Sequence, residues 1–550
     1  MPPAFVIAPV VVPLLVAAAI AVFGFAGVDL GRAAAAVASW GAVATLVAVW
    51  APIRSSLELT LGPLGFGSSF DMRVDAVTFA FGLMVAVPAA ILLTLQPRTW
   101  PQTVVSLLAL GSSLAALEAG GAVLTAVAGG TAATLAVILL DTEDPRAARP
   151  SWAMVLAGWL AFSWFGVLLQ VGVGTAVYSA VPVASVTGPL FALLGASAIL
   201  ASSVFPWRPW PAVVWSRPSL RAAGVVVATL YPLGFYLLVR AYELGDGRYP
   251  HPAFGVVLAA IGIVSAFAAA ARAHAAPTRR DFLAEVVPGF GGFAVAAIAI
   301  GTPLGLVSGL VMLATASLLV VVLALLPDRP GIASLVAIAA AVGLPPGIAF
   351  AGRALGIAAT FEAGDFLGLI GIASATTWAI WMVSGARALG LPDRRPRPAA
   401  ETFPRVSLAL ALVTLMAGPL IAAVQVVFAN PVALEVMQSS ASNVTGGIAS
   451  VVTVSSVLPA VTLLGPLLVF AAVAYGVAGT STIRTQARPA LFRLPAAESF
   501  ARARAGVRSA TVPEQYRSIL NLRRLEAATV SGRPVLWLGA LAALVFAVTR

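Results

Sequence analysis

Few side chains in this sequence could carry chemistry. Cys is absent and His occurs twice, at His251 and His274, which removes thiol nucleophiles, disulfides and Cys-ligated clusters. The two histidines lack metal-ligand spacing and sit in Arg-bearing loops beside apolar runs, where solvated side chains are expected. All 32 basic residues are Arg. A buried Lys can give up its proton and Arg holds its own, so no lysine relay exists anywhere in the chain. What remains near apolar segments is Asp75, Glu118, Tyr231, Tyr236, Arg240 and Arg353, with hydroxyls at Thr131, Thr134, Ser202, Ser203 and Thr376. Ionisable residues at membrane depth mark ion paths or paired structural charges. Hydroxyls can hold water but provide no switchable charge. The bland expectation for each is structural. Asp75 pairs with Arg73 or a neighbouring loop, and Glu118 is solvated in a tight turn or ends a helix. Arg208 anchors at the membrane interface, and Arg353 caps a broken helix.

These residues need a scaffold, and composition defines it. The chain has 550 residues, 60% hydrophobic and 10% charged, with mean hydropathy +1.00. No single soluble core hides that much apolar surface, so the expected class is an all-α polytopic membrane protein with about 14–16 transmembrane helices. The first apolar run, 5–27, is too long for a secretory signal and has no basic stretch before it, so it reads as the first span. Twenty-six of the 32 arginines fall in alternate loops, which predicts an even number of spans with both termini on the non-cytoplasmic side. The expected organisation is N-terminal spans over 1–100, a five-helix unit over 101–240, a second over 250–390 and further spans over 400–480. An Arg-rich segment over 481–533 and a last span over 534–550 follow. The Arg-rich segment carries ten Arg and an amphipathic pattern. It suits contact with anionic lipid or with a partner on the cytoplasmic side. Nothing resembles a nucleic-acid module, and no cofactor or metal motif is present.

Two stretches interrupt the apolar pattern. SVFPWRPWPAVVWSRPSL (203–220) places Pro206, Pro209 and Pro211 among Trp207, Trp210 and Trp215. Each proline removes a backbone donor and forces extended geometry on its predecessor, and the tryptophans suit a membrane interface. GLPPGIAFAGRALG places Pro345 and Pro346 between Gly343 and Gly347, with Arg353 close behind. Broken helices are therefore expected near 206–211 and 343–347. Both fall in the fourth span of a group of five, as two inverted five-helix repeats would have them.

These stretches carry a resemblance. The chain resembles the antiporter-like membrane subunits of respiratory complex I, of group 4 membrane-bound hydrogenases and of multisubunit cation/proton antiporters. SFDMRVDAVTFAF (69–81) looks like the extended segment and Asp that open the family's third span. FPWRPWP (205–211) looks like its Pro-x-His-x-Trp-Leu-Pro motif, YPLGFYLLVR (231–240) like Lys-x-Gly-x-Tyr-x-x-x-Arg, and GLPPGIAFAGR (343–353) like Gly-x-Pro-x-x-x-Gly-Phe-x-x-Lys. The match runs from about residue 55 to 390. It implies proton translocation along a mid-membrane row of Glu and Lys, within a multisubunit complex in a prokaryotic cytoplasmic membrane. It also implies no redox cofactor in this chain.

The sequence departs from that row at nearly every position. The fifth-span Glu position falls between Val127 and Thr131, where no acid stands. The seventh-span Lys aligns with Ala201, the motif His with Arg208, the eighth-span Lys with Pro232, and the twelfth-span Lys with Arg353. Two readings compete. In one, water and hydroxyls replace the charged row and the chain conducts protons. In the other, it keeps the fold as a structural or adaptor subunit. Unpaired charge at membrane depth needs stabilising groups, so the residues favour the second. A third reading, an unrelated secondary transporter, requires polar groups such as Gln170 and Gln425 to converge at one depth.

Overall fold

The computed structural model describes residues 3–441, apart from short stretches at 29–30, 52–53, 66–67, 97, 142–144, 205–209, 216–221, 327–330, 365–366 and 392–402. Arg208, the Arg-rich segment and the last two expected spans lie outside the described residues.

Among the described residues the elements run in this order: α1 (Ala8–Phe25), α2 (Gly31–Trp50), β1 (Leu57–Gly65), β2 (Ser68–Val74), α3 (Ala76–Leu95), α4 (Trp100–Glu118), α5 (Ala122–Asp141) and α6 (Pro145–Val173), then α7 (Gly188–Ser202), α8 (Trp210–Trp215), α9 (Ala223–Leu244) and α10 (Pro252–His274). They continue with α11 (Arg279–Ala284), α12 (Val286–Ile298), α13 (Pro303–Leu325), α14 (Ile332–Val342), α15 (Ile348–Ala363), α16 (Leu367–Ala388), α17 (Pro404–Met416), α18 (Ile421–Val424) and α19 (Asn430–Met437). Among the described residues twelve helices are long and apolar enough to cross a membrane, and α7 and α14 are shorter apolar helices. This is an integral membrane fold. α3, α9, α12 and α13 form its centre, and nearly every side chain of α9 is buried.

Local chemistry sets the helix ends. Asp75 caps α3 by accepting from Thr78 N at 2.7 Å, Thr99 and Gln102 form a capping box on α4, and Thr302 caps α13. Arginines serve the opposite ends. Arg32 donates to Thr94 O and Leu95 O at the end of α3, and Arg279 to Ala388 O, Leu389 O and Leu391 O after α16. Arg280 donates to Trp215 O at the end of α8. A cation at a helix C-terminus satisfies orphan carbonyls and complements the dipole. Three of the arginines that the sequence reading placed in loops are thus structural caps.

The helices before the two expected breaks end alike, and residues 205–209 of the first break lie outside the described residues. α7 stops at Ser203 in the left-handed region, with Val204 N donating to Ile199 O at 3.2 Å. α14 stops at Gly343, φ +75°, with Leu344 N donating to Ala339 O at 3.1 Å. This is a Schellman closure. α17 meets the second break from the side, where Gly418 N donates to Pro346 O at 2.9 Å. Freed backbone groups at this depth are thereby paired within protein.

Two expectations about individual side chains are corrected. Trp210 and Trp215 are 1% and 4% exposed, so their indoles pack against protein and do not face lipid headgroups. Trp210 stacks on Trp152 at 5.6 Å and meets Tyr231 at 6.5 Å, so α8 folds inward and buries its indoles in the core. His274 is likewise not a solvated loop residue. It ends α10, half-buried, with Nδ1 3.3 Å from Ser384 Oγ. His251 is exposed and caps α10 through Ala253 N.

Candidate functional site

The only dense charge cluster among the described residues gathers where α3 begins and α9 ends. Strand β2 runs antiparallel to β1 and carries Arg73 inward beside Asp75. Asp75 is fully buried. Its Oδ2 lies 2.7 Å from Arg240 Nη1 and 2.9 Å from Arg73 Nε, and its Oδ1 accepts from Arg240 Nη2 at 3.0 Å. Arg240 also pairs with Glu243 one turn on, donates to Thr78 Oγ1, and lies over the rings of Tyr236 and Tyr178 at 5.0 and 5.5 Å. Arg73 Nη2 reaches Glu243 at 2.9 Å and Glu435 of α19 at 2.8 Å. Burial pushes the Asp75 carboxyl up, but Arg240 and Arg73 override it and hold it below the usual carboxylate range.

Asp75, Glu243 and Glu435 bring carboxylate oxygens within 4.8 Å of one another. Such a trio could hold a cation, but the two guanidinium groups already fill that role. The cluster ties the hairpin, α3, α9 and α19 into one ionic knot. Asp75 pairs with Arg73 as expected. Glu243 and Glu435 escaped the sequence reading, although an acid in the apolar run 418–437 is itself a signal.

The expected mid-membrane row takes a different form. Thr131 and Thr376 point outward from α5 and α16, each hydroxyl bonded to its own helix at Val127 O and Ile372 O. Ser202 bonds to Ala198 O, and Tyr231 to Val287 O of α12 at 2.8 Å. These groups do not converge. Within 127–131, the stretch to which the resemblance assigns the Glu, the rim of the Trp159 indole lies against Gly129 so closely that a Cβ there would overlap it. At Gly158 of α6 a Cβ would come 2.6 Å from Ala201 N, and at Gly234 of α9 it would overlap the backbone of Ser202. Pro232 is buried in α9 between Tyr231 and Tyr236. Gln170 lies half-buried on α6 and bonds to Gly174 O, while Gln425 is buried near Ala441. They form no common site.

Arg353 is 3% exposed and caps α14 as expected. Its Nη2 donates to Ala341 O at 3.1 Å and its Nη1 to Val342 O. Of the two expectations for Glu118, the helix end holds and solvation does not: it ends α4, is fully buried, and neither carboxyl oxygen has a hydrogen-bond partner among the described residues. The neighbouring Leu117 O takes both nearby hydroxyls, from Thr78 and Tyr236. Replacing Glu118 by Met is expected to stabilise the fold by about 1–2 kcal/mol, because it removes an unsatisfied buried polar group. Thermal unfolding in detergent reads this as a higher midpoint. A lower one would mean that the carboxyl is bonded.

No family model and no curated protein matches the chain. Solved structures do. A chain of the Mrp complex from Dietzia sp. DQ12-45-1b aligns with TM-score 0.71 and 17% identity over 95% of this chain. This chain spans 62% of that one's length. The membrane-bound sulfane sulfur reductase, an archaeal respiratory membrane complex, aligns with TM-score 0.65 and 16% identity over 77% of this chain and 78% of its own. Respiratory complex I from Thermus thermophilus aligns with TM-score 0.62 and 18% identity over 79% and 98%. The chain therefore shares its helical membrane fold with subunits of these complexes.

Proposed function

We propose that the chain is an antiporter-like subunit of a multisubunit complex in a prokaryotic cytoplasmic membrane. Its role there is to join other membrane subunits, with no proton conduction of its own. Its two groups of five crossings are read as inverted repeats, and the Arg-rich segment 481–533 as a contact for lipid or a partner on the cytoplasmic side. The observation that carries the non-conducting reading is the packing of the first broken crossing. Trp159 fills the space at Gly129, and α7 lies in backbone contact with Gly158 and Gly234. A proton path there needs a water file or titratable side chains, and helices this close leave room for neither.

Proteoliposomes test this. The full chain, reconstituted with a trapped pH dye, is subjected to a potassium diffusion potential. The expected proton flux equals that of empty liposomes, and an uncoupler, which admits protons along the potential, gives the same full dye response in both. Flux clearly above the empty control would end the non-conducting reading. Affinity isolation from native membranes tests the other half. Co-purification of other integral membrane subunits in fixed ratio is expected, and recovery of this chain alone would count against a subunit role.

A further inference from the structure

The break between α14 and α15 holds a cation with no carboxylate partner among the described residues. The last carbonyls of α14, at Ala341 and Val342, receive the guanidinium of Arg353. Trp378 Nε1 also donates to Val342 O, at 2.9 Å. The rings of Phe290, Phe293 and Trp378 surround the guanidinium carbon at 4.7, 5.1 and 5.9 Å. The Nε has no partner among the described residues, and Arg353 lines a cavity of about 10 Å³ together with Thr360, Gly356 and Ser374, room for one water.

A half-helix C-terminus at membrane depth is a site for a positive charge. Aromatic faces add attraction for a weakly hydrated one. We propose that this break is an intramembrane binding site for a small, weakly hydrated monovalent cation, occupied from within the chain by Arg353. Arg keeps its charge across the physiological pH range and is covalently tethered, so the occupant can neither leave nor pass a proton on. The site is thereby closed to mobile cations. This inference rests on the second break alone and does not depend on whether the chain conducts.

The experiment uses the full chain in detergent, with guanidinium chloride at concentrations far below denaturing ones as the probe. Sodium chloride and urea at equal concentration are the controls. Arg353→Ala vacates the cage. Its unfolding midpoint is expected to rise by at least about 3 °C with guanidinium, saturating on the order of 10 mM, and to ignore sodium and urea. The wild-type chain, whose site is filled, shows no saturable rise. An Ala variant that folds but does not respond overturns the proposal. A second pair holds even if that variant fails to fold. Arg353→Lys keeps the charge and should unfold within a few degrees of wild type, whereas Arg353→Met keeps much of the volume and should unfold clearly earlier. Equal midpoints for Lys and Met, or a Met variant as stable as wild type, would mean that the cage needs no cation, and would sink the idea.

Discussion

Arg240→Met is expected to be the most damaging single substitution, lowering stability by about 3–5 kcal/mol, the usual loss when one partner of a buried ion pair is removed. The charge balance of the knot gives the reason. Arg73 and Arg240 face Asp75, Glu243 and Glu435, so the buried knot already has one anion in excess. Removing Arg240 leaves three carboxylates to one guanidinium. It also strips Asp75 of the cation that it meets with both oxygens. Asp75→Asn acts in the opposite sense. It leaves two cations facing two acids and keeps a side chain able to cap α3, so a loss of only about 1–2 kcal/mol is expected. The double variant should then unfold later than Arg240→Met alone. A double variant as unstable as the sum of the two singles would show that the residues act independently and that the knot is not a unit. The pH dependence has a definite sign. The folded Asp75 carboxyl sits below its ordinary value, so its contribution is complete above about pH 4 and is lost only as pH falls further. The wild-type midpoint should therefore stay flat with respect to Asp75 from neutral pH down to that point.

Much of the fold was legible because prolines and glycines act locally. A Pro cluster cannot continue a helix wherever it lies, so the breaks near 206–211 and 343–347 could be placed from the residues alone. The capping role of Arg353 followed from its position after a break. The inward turn of α8 was not legible, because Trp suits a membrane interface and a core equally well, and only the stacking on Trp152 decides. Glu118 and Glu435 mark the same limit. Whether a carboxyl at the end of an apolar run meets water, an arginine or nothing depends on which distant element packs there. For Glu435 that element is β2, some 360 residues away in the chain (Arg73 to Glu435). The departures from the family's charged row were plain in the sequence. What fills the vacated space, Trp159 against Gly129 and α7 against α9, is a property of helix approach that no single residue announces.

Gly234→Ala turns that packing into the second large expectation. The added Cβ would overlap the backbone N of Ser202 and lie 2.6 Å from its Cα. A flexible side chain could step aside, but the last turn of α7 is fixed by its Schellman closure and by Ser202 Oγ on Ala198 O. α9 is equally held, by Tyr231 on Val287 O at one level and Arg240 in the ionic knot at another. A loss of about 3 kcal/mol, the upper part of the usual overpacking range, is therefore expected. Gly130→Ala on α5 is the matched control. Nothing lies within 4 Å of its Cβ position, and replacing a helical Gly there should stabilise by roughly 0.5–1 kcal/mol. The comparison bears on the proposed function because its non-conducting reading rests on the α7–α9 contact. If Gly234→Ala unfolds several degrees earlier than wild type while Gly130→Ala does not, the two helices meet without a gap, and water has no room between Ala201, Ser202 and Tyr231. If Gly234→Ala is accepted without loss, the contact is loose enough to admit a methyl group. It would then be loose enough to admit water, and the packing argument against conduction would fail with it.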